Sequence, residues 1–202
     1  MPLIPQSMQS LIQAKAASQL MSGSKFPSIV SAISAASCQY ILAVSTVNST
    51  NIALGPGVGT QTGTIMGLVP TAMTSLMQAK ALSRGISGRD TMKLFSSVST
   101  GVCTSMKSVI LQGTIIGAGP GTGTGKILGL VPTGLETLIF AQSIFRLISG
   151  RNLKDIISAI AFGICTHIMT TATVLCTDIG VAAGPPVGPV LIPAAPGFGR
   201  LV

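Results

Sequence analysis

Three cysteines are the first residues with chemistry to offer. Cys38, Cys103 and Cys165 stand 65 and 62 residues apart, while Cys176 stands alone. A thiol recurring at a regular interval could gather thiolates around one metal ion. Structural metal sites are usually announced by Cys-x-x-Cys spacing, which does not occur, and His167, two residues after Cys165, has no counterpart beside the other two cysteines. Free cysteine is also an ordinary small buried residue, and that reading takes precedence for all three. A chain of this length with four scattered cysteines needs no disulfide framework. His167 reads as a core or interface residue. The four acids, Asp90, Glu136, Asp155 and Asp178, are dispersed and make no pair for acid–base work.

The run from Gly119 to Lys126, GPGTGTGK, invites comparison with a phosphate-binding loop. That loop needs a glycine where Pro120 stands and a Ser or Thr where Ile127 stands, and the matching run from Gly55 has no lysine. The run is repeat structure. No catalytic, cofactor-binding or metal-ligating residue is assigned. Neither an enzyme nor a small-molecule substrate is expected.

The spacing of the cysteines belongs to a wider repetition. The segment from Leu68, LVPTAMTSLMQAKALSRGISGRD, lies over that from Leu130, LVPTGLETLIFAQSIFRLISGRN, at an offset of 62; the segment from Leu3 follows at 65. Each copy ends in a glycine run, beginning at Gly55, at Gly119 and, in degenerate form, at Ala183. Three repeats follow, 1–67, 68–129 and 130–202, the last with a Gly/Pro-rich tail, integrated as one domain.

Each repeat reads as two helices and a connector. Pro5, Pro70 and Pro132 suit a first helical turn, where a missing N–H costs nothing. Met73, Leu76, Met77, Lys80, Ala81 and Arg84 recur at helical spacing. Gly23, Gly88 and Gly150 are expected to close the first helix in left-handed conformation, with Asp90 and Asn152 as N-caps of the second. That second helix is expected to run to about Val47, Gln112 and Cys176. The glycine runs read as extended strands pressed against other backbone, with Gly57, Gly59, Gly121 and Gly123 at the contacts; a flexible linker is the plainer alternative. A two-helix unit this poor in charge cannot hide its apolar face alone. The expected fold is therefore mainly α: a pseudo-threefold six-helix bundle with glycine-rich extended connectors, preferred to an open stack because no terminal copy carries a polar cap.

The chain holds twelve Lys and Arg against four Asp and Glu, a net charge of +8, yet charged residues are only 8% of it. A soluble domain usually carries about a quarter, so much of the surface should be covered by a partner or lipid. Lys25, Arg89 and Arg151 fall in the turns between paired helices. Threefold packing would gather them into a basic collar, explained either by the macrodipole at helix C-termini or by a non-specific contact with nucleic acid or an acidic partner. The third copy adds Phe140, Phe145 and Leu147 where the second has Gln78, Ser83 and Gly85. Internal symmetry does not need that difference, so these residues are candidates for partner binding.

Low charge, richness in Gly, Ser, Thr and Ala, and pseudo-threefold duplication resemble small structural proteins of tailed-phage virions and related contractile injection machines. The resemblance implies a structural role at a threefold-symmetric baseplate hub or tail tip, location in the virion, and other virion or tail proteins as partners. The alternative is a membrane-inserted or pore-forming protein. The stretch from Ile156 to Thr177 lacks Asp, Glu, Lys and Arg over a length that could span a bilayer, but the equivalent helix of the second copy carries Lys93 and Lys107, and a charge at bilayer depth is costly. The N-terminal segment does not read as a signal peptide.

Overall fold

The structure, a computed structural model, describes residues 3–21, 23–53, 59–116, 122–178 and 195–201. The order helix–helix–strand–strand occurs three times. The helices are α1 (Pro5–Ser18), α2 (Phe26–Val44), α3 (Pro70–Leu82), α4 (Arg89–Ser108), α5 (Pro132–Phe145) and α6 (Leu153–Thr171). The strands are β1 (Thr46–Ala53), β2 (Gly59–Met66), β3 (Ile110–Ile116), β4 (Thr122–Leu128), β5 (Thr173–Asp178) and β6 (Ala195–Leu201).

The mainly α expectation is corrected here. Each β strand pairs antiparallel with the next and β6 pairs with β1, closing a six-stranded barrel. The second helix of each repeat stops at Val44, Ser108 or Thr171, and Val47, Gln112 and Cys176 belong to strands. Gly59 and Gly123 are ladder positions, opposite Ala53 and Ile115 respectively; Gly57 and Gly121 lie outside the described residues. A barrel of six strands is narrower than the eight-stranded kind whose interior just admits side chains. Its helix-side end is filled by three cross-strand pairs of buried residues, Val47–Ile65, Leu111–Ile127 and Val174–Leu201. Farther along the same face stand Gly63, Gly113 and Gly125. A Cβ on Gly113 would lie 2.6 Å from the Thr124 carbonyl oxygen and 2.7 Å from the Gly125 Cα, so only glycine fits.

The helices close a ring as well. Each second helix packs on its partner within the repeat and on the next repeat's first helix: α2 on α3, α4 on α5, and α6 back on α1. The long helices α2, α4 and α6 supply most of the core, whereas α1, α3 and α5 each bury a single stripe, such as Met8, Ile12 and Ala16. At the joints α4/α5 and α6/α1 a glycine replaces a side chain. A Cβ on Gly101 would stand 2.6 Å from Ile139 Cγ1, and one on Gly163 would stand 2.3 Å from Ile12 Cγ1.

The connectivity gives the molecule two ends. The first helix of each repeat starts beside the barrel and runs away from it, and the second returns and passes into a strand. Turns between paired helices therefore lie opposite the barrel. Those turns also differ from expectation. Leu20 (φ 55°), Gly85 (φ 68°) and Leu147 (φ 55°) hold the left-handed position, and the N–H groups of Met21, Ile86 and Ile148 reach back to the carbonyls of Ala16, Ala81 and Ser143. Gly23, Gly88 and Gly150 lie beyond this closure. Asp90 sits inside the first turn of α4, behind Gly88 at the N-cap, and Asn152 at the N-cap of α6 makes no side-chain capping bond.

Candidate functional site

The recurring cysteines lie inside the molecule. Cys38, Cys103 and Cys165 are free and buried. Burial pushes their thiols up, to about 12, about 11 and about 12, with the Lys107 charge pulling Cys103 slightly the other way. Thiols held protonated are poor nucleophiles and poor ligands. Among the described residues no three His, Cys, Asp or Glu side chains gather as a metal site.

His167 has counterparts after all, of other residue types. Its Nε2 accepts the Ile4 N–H at 3.0 Å. One repeat position earlier stands Ser105, and one further back Tyr40, whose hydroxyl accepts the Val69 N–H at 2.9 Å and donates to the Val69 carbonyl at 3.0 Å. Ile4 and Val69 are N-caps of α1 and α3, and neither side chain can cap its own helix. The side chains from α6 and α2 thus tie one repeat to the next. Burial lowers the His167 pKa, as suits a neutral ring acting as acceptor.

Surface features are better candidates. On the barrel side, Ile4, Val69 and Val131 are equivalent N-cap residues, and all three are substantially exposed, at 41, 49 and 54%. Met66, Leu128, Ile110 and Leu175 on the outward strand positions are exposed near them in sequence or across the ladder. These N-caps were missed in the sequence. The signal was an apolar β-branched residue before each helix-starting proline, where Ser, Thr, Asp or Asn is preferred.

At the far end Phe145 and Leu147 are 82 and 83% exposed, with Leu20, Leu82 and Ile144 exposed in the corresponding turns. Phe140 is separated from them: it is partly buried and packs against the core. Lys25, Arg89 and Arg151 are all exposed. Lys25 is the N-cap of α2, Arg89 the first residue of α4, and Arg151 immediately precedes the N-cap of α6. At these positions the cations meet the unfavourable end of the second helix's dipole. Arg89 also lines a groove of about 560 Å³ with Met92, Lys93, Ser96 and Arg146. A second groove, about 550 Å³, follows the barrel wall past Gln112, Thr124, Lys126 and Thr173.

No known family, curated protein or solved structure matches this chain.

Proposed function

We propose that this chain is a structural assembly protein, a covalent trimer seated on a threefold axis of a virion at the baseplate hub or tail tip, rather than an enzyme. The carrying observation is the trio Ile4, Val69 and Val131. One chain presents the same kind of exposed apolar residue at three equivalent points around a closed ring. A surface repeated in this way suits a partner repeated in the same way. The closed ring and the glycine-packed barrel supply a rigid scaffold for it. The apolar character of α2 and α6, which are long enough to cross a bilayer, has an account without lipid, since half of each apolar window is buried inside the molecule.

The test is photo-crosslinking in purified particles, with a photoreactive residue placed at position 4, 69 or 131 in turn. All three are expected to capture the same neighbouring polypeptide. Capture of unrelated proteins from the three positions, or of lipid alone, would overturn the reading.

A further inference from the structure

The groove between α4 and α5 breaks the internal symmetry, and it does so by charge. Arg89 and Lys93 come from α4 and Arg146 from the end of α5. The equivalent positions at the α2/α3 joint are Ser24, Ser28 and Arg84, and those at the α6/α1 joint are Arg151, Asp155 and Gln19. Only the α4/α5 joint has cations at all three. Ring packing is achieved at the other two without them, so closure does not require the cluster.

Arg146 is held in place rather than neutralised. Its Nε donates to Ser96 Oγ at 3.1 Å and its Nη2 to Thr100 Oγ1 at 3.4 Å, while Nη1 donates to the carbonyl oxygen and side-chain oxygen of Gln142. The Arg84 side chain, its counterpart, donates to the Lys80 carbonyl on its own helix. The one ion pair among the described residues is Lys93–Asp90 at 3.6 Å, and the Asp90 side chain is largely exposed. The groove therefore keeps an excess of positive charge, reinforced by the N-terminus of α4.

Phe145 and Leu147 flank Arg146 in the chain and both are exposed. Leu147 moreover holds a left-handed backbone that Gly85 provides in the middle repeat and that Leu20 shares in the first, a conformation unfavourable to a non-glycine residue. A phosphate backbone would use the cations but gain little from Leu147 and Ile144. Cations bordered by apolar side chains complement a protein segment carrying both carboxylates and apolar residues.

We infer that the α4/α5 groove, with Arg89, Lys93 and Arg146 as its cations, Met92 in its lining and the exposed Phe145 and Leu147 on either side of Arg146 in the chain, docks an acidic segment of the partner protein in which carboxylates alternate with apolar side chains. The inference rests on the assembly reading and adds the chemistry of the docked segment. It is tested by fluorescence anisotropy of the full chain with a labelled peptide of alternating glutamate and leucine. Binding should weaken with salt. The double variant Arg89→Ser/Lys93→Ser should lose about tenfold or more in affinity. Leu147→Gly should also weaken binding severalfold while the melting temperature stays level or rises, a combination a purely structural role would not produce. The inference is overturned if the peptide fails to bind, if either variant binds it as the parent does, or if an oligothymidylate strand of equal charge binds more tightly. The crosslinking positions beside the barrel lie outside this groove, so that experiment can succeed where this one fails.

Discussion

His167 does at one position what the Tyr40 hydroxyl does at an equivalent one, and its behaviour with pH follows from the bond it makes. As acceptor of the Ile4 N–H, its Nε2 carries no proton. Burial holds its pKa below the ordinary value, near 6.5 in an unfolded chain. Below that pH the unfolded chain takes up a proton that the folded one resists, so stability is present in full above about 6.5 and declines as the pH falls through it. Thermal melts should show this loss as the pH is lowered below about 6.5. His167→Gln, which keeps an acceptor but does not titrate, should lose most of that dependence. Equal acid sensitivity in the two proteins would assign the effect elsewhere. The role was not legible in the sequence, because Tyr40, Ser105 and His167 share a place but no chemistry. The burial of the three cysteines was legible, since small residues recurring on a helix have a ready packing explanation.

Helices and strands meet in this molecule through missing side chains. At the α6/α1 joint, a Cβ on Gly163 would meet Ile12 Cγ1 at 2.3 Å and the Ile12 nitrogen at 2.8 Å. The second of these is backbone, so a rotamer change cannot relieve it. Gly163→Ala should cost about 1–3 kcal/mol, or very roughly 3–10 °C in Tm for a chain of this size. Gly134→Ala, in α5 with nothing within 4 Å of the new Cβ, should stabilise by up to about 1 kcal/mol through helix propensity. Scanning calorimetry of the two variants gives opposite signs on this account, and an unchanged Tm for Gly163→Ala would mean the joint is not closely packed. The helix pairs were legible from their prolines and apolar spacing. The barrel was not. A half-buried strand is normally recognised by apolar residues at every second position, whereas Gly63, Gly113 and Gly125 occupy that face here, leaving a glycine–threonine alternation that reads equally as linker. No single hairpin would be stable alone; closure by three makes the strands.

Across the whole molecule, three repeats close twice, once as a ring of helices and once as a barrel. The repetition itself could be read from the recurring Cys, Pro and Ser-Gly positions. The departures from it were only partly readable. Phe145 stood out against Ser18 and Ser83, but the partnership of Arg146 with α4 needed the fold, because residues from two repeats meet at one joint. The symmetric features and the asymmetric groove would serve one task, seating a single chain on an axis while fixing its rotation about that axis. The most direct measurement is the copy number of this chain relative to its crosslinked neighbour, obtained by quantitative mass spectrometry of purified particles. A covalent trimer on a threefold axis predicts one chain for every three copies of that neighbour. Equal numbers of the two would contradict it.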